Sequence, residues 1–365
     1  MTGATETNSQ LEHLFFWGRP LSPLYSCLMA NRSRLYRNGF FRQEKLAVPV
    51  ISVGNLVLGG TGKTPLVLYI AEFLRAKNKK PAILSRGYKG TASGTINVVS
   101  DGKTILLDAG SAGDEPRLLA EKLPGTPIII GKKRSVTGRF ALDSFDIDHL
   151  ILDDGFQHLA IKRDLDLVLF NAEKLLGNGR VLPGGELREP LSALTRADAF
   201  ILTGSVASQN AKVKEFLGLL NSMFPDKPVF SGSYMIEESM IRISAGKVDS
   251  LGLADGRKMP LYGFCGIARP ASFYNTLQKA GLQIAGFQTF RDHHIYSAED
   301  ITELCRNGKT AGARALVTTE KDLVKVRDLF PQDFPLLTLP VRLLMEKNFD
   351  QFLKERLNGF QAASA

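Results

Sequence analysis

The chain has 365 residues, with 46 Lys and Arg against 37 Asp and Glu, five His and three Cys. Apolar residues at 44% and charged residues at 23% form an ordinary globular mixture, which excludes wholesale disorder, and the length predicts two domains. Cys27, Cys265 and Cys305 are too far apart for a disulfide framework or a thiolate zinc site, while the net charge of +9 leaves nucleic acid, a membrane surface and an anionic substrate as partner classes.

Residues 1–10 are polar, with no basic stretch running into an apolar one, so no export signal is expected. Leu14, Phe15, Phe16 and Trp17 precede a helical pattern over 23–36, in which Leu24, Leu28 and Leu35 fall near one face. From Arg19 to Lys45 six basic residues meet one acidic residue, Glu44. This segment, 1–45, reads equally as an amphipathic helix lying on a membrane and as one packed on its own domain. No apolar run is long enough to cross a bilayer, since the longest charge-free stretch, 46–62, is broken by Pro49 and four glycines. Short apolar strands then alternate with helical patterns. Strands are expected at 47–53, 82–85, 128–130, 149–152, 167–170 and 200–203, with a hairpin over 96–107 turning at Asp101-Gly102. A helix is expected at 116–122. The alternation predicts an α/β fold with a parallel sheet covered by helices on both faces. A polar, turn-rich stretch predicts a linker over 206–230 between a domain at 46–205 and a smaller α/β domain at 231–365, with packing of the last helix back on the first domain left open. In the latter, strands are expected at 261–265, 282–290 and 315–318, with helices at 271–280, 298–306 and 349–357.

The strongest local signal runs from Val53 to Thr64, between an apolar strand and an amphipathic helix. Its glycines allow backbone N–H groups to surround phosphate oxygens, Lys63 would reach the β- and γ-phosphates, and Thr64 would bind Mg²⁺. Strict Walker A spacing puts the first glycine at 57, which is Val57. The run Gly59-Gly60-Thr61-Gly62-Lys63-Thr64 also resembles the loop of partition-type ATPases, but their signature lysine is replaced by Leu58. A membrane-associated switch ATPase of that type is the alternative reading. The strand ending in Asp153-Asp154 has the form of a Walker B element, whose hard oxygen ligands suit a Mg²⁺ on the nucleotide, and His158 follows it closely. Asp114, at the mouth of a helix with Pro116, fits a helix cap or a general base for a hydroxyl. Adjacent His293 and His294 would point different ways; one paired with a carboxylate and a structural role are both open.

Taken together these segments resemble the tetraacyldisaccharide 4'-kinase family. The resemblance is carried by Val50–Leu56 through Gly62-Lys63-Thr64-Pro65, Leu84–Gly90, Gly113-Asp114-Glu115-Pro116, Leu152–His158, Arg163–Asp166, Leu187–Pro190, Gly266–Pro270, Asp292-His293-His294 and Thr318–Asp322. They occur in the family's order over most of the chain. The resemblance implies a P-loop NTPase-type parallel sheet with a second, smaller α/β domain and an N-terminal amphipathic helix. It further implies transfer of the γ-phosphate of ATP to the 4'-hydroxyl of tetraacyldisaccharide 1-phosphate, giving lipid IVA, with Mg²⁺, at the cytoplasmic face of the inner membrane. Under it Val57, Leu58, Gly59, Gly60, Thr61, Gly62, Lys63, Thr64 and Arg188 bind ATP, and Thr64, Asp153, Asp154 and Glu189 serve the metal. Asp114 is the base with His293 tuning it, Lys63 assists, and Arg86, Tyr88 and Arg134 contact the anionic glycolipid. Gly184 and Glu186 depart from the family's usual Pro-Ala-Gly segment. The implied partners are the glycolipid and the membrane surface, without nucleic acid or an obligate protein partner. Because Asp114 and His293 fall in different expected domains, their pairing is expected to need an interdomain cleft and its closure.

Overall fold

A computed structural model of the chain describes residues 13–59, 62–204, 210–244, 246–330 and 334–362. They form two compact units, one drawn from Met1–Arg86, Gly131–Ser233 and Leu344–Ala365, the other from Gly87–Ile130 and Tyr234–Leu343. This division differs from the expected one. Residues 87–130 belong with the second unit, while the last helix, Lys347–Ala362, belongs with the first, the alternative left open for it. The segment expected as a linker holds a helix, Ala211–Met223, that buries Val213, Phe216 and Leu220. Its polar residues, such as Lys212, Lys214 and Glu215, occupy the solvated face of an amphipathic helix, which is why the stretch reads as a loop.

In the first unit six strands run parallel in the order β8-β7-β6-β1-β5-β2. They are β1 (Val50–Asn55), β2 (Pro81–Ser85), β5 (His149–Asp153), β6 (Leu165–Asn171), β7 (Ala199–Thr203) and β8 (Val229–Ile236). Every residue of β1, β2, β5, β6 and β7 is buried, as expected of a parallel sheet with both faces covered. Helices Lys63–Ala76, Arg134–Ser144 and Ala211–Met223 supply cover, and a core around Phe156, Phe170, Phe200 and Phe216 forms beside β6 and β7. This is the P-loop type of sheet, with β1 central and its carboxyl end level with that of β5: Val53 pairs with Asp153.

The N-terminal helix spans Ser22–Arg37. It is held to the first unit by polar contacts: Ser22 Oγ donates to the Val181 carbonyl, Tyr25 Oη to that of Arg188, Arg32 to that of Gln157, and Arg196 donates to Ser33 Oγ. Its leucines at 24, 28 and 35 are exposed, as are Leu21 and Trp17 before it. The helix is therefore both anchored on its own unit and left with exposed leucines.

In the second unit six strands follow the order β10-β9-β14-β13-β11-β12. They are β9 (Ser239–Ser244), β10 (Lys247–Gly252), β11 (Pro260–Cys265), β12 (Gln283–Thr289), β13 (Ala315–Thr318) and β14 (Leu336–Thr338). The run β14-β13-β11-β12 is parallel; β9 and β10 form an antiparallel ribbon beside it. The expected hairpin over 96–107 is present as a short one, with the Leu106 N–H donating to the Val99 carbonyl, and its first strand pairs mainly elsewhere. Strand β3 (Asn97–Asp101) pairs antiparallel with β4 (Pro127–Ile130), and the returning segment contributes a single bridge, Ser100 to Ile105. Asp101 Oδ1 accepts the N–H groups of Lys103 and Thr104, which closes the turn. Helix Asp114–Lys122 packs on helix Glu320–Val326 in this same unit.

Candidate active site

β1 feeds the chain into the glycine-rich loop, of which Gly60 and Thr61 lie outside the described residues. A Cβ on Gly54 would meet Phe156 at 2.5 Å, so the strand end and the segment after β5 pack without space for a side chain. Gly59 and Gly62 have φ of 99° and 85°, a conformation that favours glycine. Val57, where Walker spacing asks for glycine, is fully buried and bridges to Leu187, so here that position anchors the loop in the core. Leu58 is held from both sides: its N–H donates to the Glu186 carbonyl, and Lys174 Nζ donates to its carbonyl at 2.7 Å while pairing with the Glu186 carboxylate. Lys63 opens helix Lys63–Ala76, with Thr64 in the same first turn, where the helix end carries partial positive charge. Lys63 Nζ donates to Asn55 Oδ1 at 3.2 Å and lies 3.4 Å from Asp154.

The two adjacent aspartates have different surroundings. Asp153 ends β5, is buried, and accepts from Ser85 Oγ at 2.9 Å. Asp154 has φ of 54°, and both its oxygens lie 2.9 Å from Arg188 Nη1. Burial would raise its carboxyl, but the charges of Lys63 and Arg188 hold it below the usual carboxylate range. Glu189, expected beside the metal, is buried with both oxygens bonded to Arg196 Nη2 at 3.0 and 2.9 Å. Among the described residues no three His, Cys, Asp or Glu gather as a metal-holding group. Arg134, expected to contact the glycolipid, is buried, and its Nη1 donates to the Gly131 carbonyl at 3.3 Å, whereas Arg86 is exposed. His158 does lie in this region: burial, then the charges of Arg134, Arg163 and Arg32, push its imidazole down to about 4, so it is neutral at pH 7.

In the second unit Asp114 is the first residue of helix Asp114–Lys122 and is not its cap; Gly113, at φ 90°, takes that position. His293, itself at φ 61°, places Nδ1 3.0 Å from Asp114 Oδ2. Both residues belong to one unit, so the pair forms without domain closure, contrary to the sequence expectation. Lys325 Nζ lies 3.6 Å from the same oxygen. Burial pushes the Asp114 carboxyl up, but the hydrogen bond from His293 and the charges of Lys325 and Lys321 outweigh it and hold the group below the usual range. His294 turns away to Asp300, 3.0 Å from its Nε2, and stacks on Phe290. The exposed Tyr88 sets its ring edge-on to His293 at 5.7 Å. Sequence reasoning missed Asn55, Lys174, Arg196, Lys321 and Lys325. Lys321 falls in a motif that sequence singles out, but no spacing rule connects it to a histidine 28 positions away.

A glycine-rich loop leading from a buried parallel strand into a helix, with a carboxylate at the end of the neighbouring strand, defines a P-loop nucleotide-binding protein. The family model described as LpxK, tetraacyldisaccharide-1-P 4'-kinase, matches residues 14–358. A tetraacyldisaccharide 4'-kinase of Desulfotalea psychrophila is 44% identical over 95% of this chain and 98% of its own, and one of Syntrophotalea carbinolica is 40% identical over 92% and 90%. The crystal structure of LpxK from Aquifex aeolicus, described as an "apo" form in complex with ATP, is 31% identical, with a TM-score of 0.74 over 93% of this chain and 98% of that one. The chain belongs to the tetraacyldisaccharide-1-P 4'-kinase family. It is a kinase, and the switch-ATPase alternative is not favoured.

Proposed function

We propose that this protein transfers the γ-phosphoryl group of ATP to the 4'-hydroxyl of tetraacyldisaccharide 1-phosphate, producing lipid IVA. The observation that carries the chemistry is the Asp114–His293 pair: a carboxylate kept ionised, at a helix start, with one oxygen already bonded. Phosphoryl transfer is mostly positioning and charge stabilisation, and the one proton to be moved is that of the acceptor hydroxyl. Asp114 takes it. Lys63, the loop N–H groups and the start of helix Lys63–Ala76 hold the triphosphate. Arg188, whose Nε is buried without an acceptor, has a donor left for a phosphate oxygen. Thr64 and Asp153 are hard oxygen donors of the kind Mg²⁺ takes, and such an ion neutralises charge on the β- and γ-phosphates. Asp154 acts instead as counter-ion to Lys63 and Arg188, and Glu189 orients Arg196. Exposed Arg86 and Tyr88 suit contact with the anionic glycolipid; buried Arg134 suits balancing the charge of Asp153 and Asp154.

No helix among the described residues is long and apolar enough to cross a membrane. The exposed leucine stripe of helix Ser22–Arg37, with Arg34 and Arg37 at its end, favours peripheral docking on the cytoplasmic face of the inner membrane. The test is incubation with Mg·ATP and the disaccharide 1-phosphate, followed by mass analysis. One added phosphate at the 4'-position is expected, and Asp114→Ala should lower kcat about 10²-fold or more. No product from the wild-type chain, where a known lipid kinase works, overturns the reading.

A further inference from the structure

His293 is contacted at both ring nitrogens. Nδ1 lies 3.0 Å from Asp114 Oδ2, and Nε2 lies 3.1 Å from Lys321 Nζ on helix Glu320–Val326. An ammonium group has donors and no acceptor. Nε2 must therefore be the unprotonated nitrogen, and the ring's single N–H sits on Nδ1, donating to Asp114. Two other groups face the ring. The Asp292 carboxylate, 3.8 Å from Nε2, would accept from a protonated Nε2, but Lys321 lies 3.7 Å from it and offsets its charge. Tyr88 meets the ring in a T-shaped contact, 5.7 Å between centroids. On Asp114, His293 and Lys325 both approach Oδ2, which leaves Oδ1 for a hydroxyl.

We infer that Lys321 is a positioning residue for the phosphoryl transfer: its ammonium holds His293 as the neutral Nδ1–H tautomer, which fixes Asp114 Oδ2 and turns Oδ1 to the acceptor hydroxyl. The inference rests on the kinase reading of Asp114. In the step it serves, the acceptor O–H bond breaks and its proton goes to Oδ1. The hydroxyl oxygen bonds the γ-phosphorus, and the bond to the β–γ bridging oxygen breaks, its electron pair leaving on ADP. A wrong tautomer at His293 would turn a lone pair toward Asp114 and repel the carboxylate that has to be held. A lysine that merely bridges Asp292 and Glu115, the latter 3.9 Å away, would have no such effect on the ring.

The tautomer is read directly on the full chain labelled with ¹⁵N-histidine, by long-range ¹H–¹⁵N correlation, with the His293 signals assigned from His293→Gln. The wild type should show Nδ1–H, and Lys321→Arg, which still donates, should keep it. Lys321→Met should let Nε2 take a proton beside Asp292, giving the doubly protonated ring, and lower kcat about 10- to 100-fold with the KM for ATP within about twofold, short of the full effect of losing the base. Nε2–H in the wild type overturns the inference, as does Lys321→Met with either tautomer or kcat unchanged. If Lys321→Met does not fold, the wild type and Lys321→Arg decide it alone: Nδ1–H in both supports the inference, and Nε2–H in either rejects it. Because the tautomer is read without substrate, absence of lipid phosphorylation by the wild type rejects the kinase reading separately.

Discussion

Asp114 is held by opposed influences of which burial is the largest single one, and its ionised state depends on three cooperating partners. Removing the hydrogen-bond donor lets burial count for more. His293→Ala should therefore raise the proton affinity of Asp114. A general base must be ionised to act, so its activity is full above its pKa and is lost as pH falls through it. The acid limb of kcat/KM should accordingly move to higher pH in His293→Ala than in the wild type, whose limb belongs below the ordinary aspartate value of about 3.9. The pH of half-maximal kcat/KM measures this, and an unchanged or lower value would show that His293 does not set the state of Asp114. At this scale the sequence displays residue types and local spacing, and little about partners. Gly62-Lys63-Thr64 and Asp153-Asp154 are legible because loop and strand end are contiguous. That Asp154 faces Lys63 and Arg188, or that Arg196 takes both oxygens of Glu189, exists only once distant segments have folded together.

Elements were legible in proportion to how fully they are buried. β1, β5, β6 and β7 are mainly apolar and fully buried because both faces of a parallel sheet are covered, and each was expected within a few residues of where it lies. β10 was invisible: Lys247, Asp249 and Ser250 belong to a strand exposed along most of its length, where no apolar alternation is required. Helix Lys347–Ala362 was partly visible, through Phe349 and Leu353, both fully buried. Phe349 packs with Phe230 at 5.1 Å and Tyr69 at 5.9 Å, so this helix belongs to the core of the first unit despite coming last in the chain. Phe349→Ala should leave a cavity and cost about 3–5 kcal/mol. Urea unfolding followed by a probe in the first unit checks this, and a loss under about 1 kcal/mol would mean that the helix only rests on the surface.

At the scale of the whole molecule the excess of nine positive charges bears on the proposed docking at a membrane surface. A peripheral protein that works on an anionic lipid must be held by weak interactions that add: each Lys or Arg near an anionic surface contributes roughly 1 kcal/mol, and each buried apolar side chain about 1.5–3 kcal/mol. The sequence already showed the cluster from Arg19 to Lys45, but only the fold shows which leucines of that segment remain uncovered. Leu24 and Leu28 are 61% and 55% exposed, while the helix is fastened by the polar contacts of Ser22, Tyr25 and Arg32. Folding should therefore not depend on them, and Leu24→Glu with Leu28→Glu should shift stability by no more than about 0.5 kcal/mol per site. Binding to vesicles containing anionic lipid should fall at least about tenfold in the double variant. The wild type should also bind less tightly as salt rises from 0.1 to 1 M, because the screening length shrinks from about 10 Å to about 3 Å. The apolar contribution survives salt and the basic one does not, so the double variant in high salt should lose vesicle binding altogether. Sedimentation with phosphatidylglycerol-containing vesicles measures both effects, and equal binding of variant and wild type in low salt would remove this helix from the docking surface.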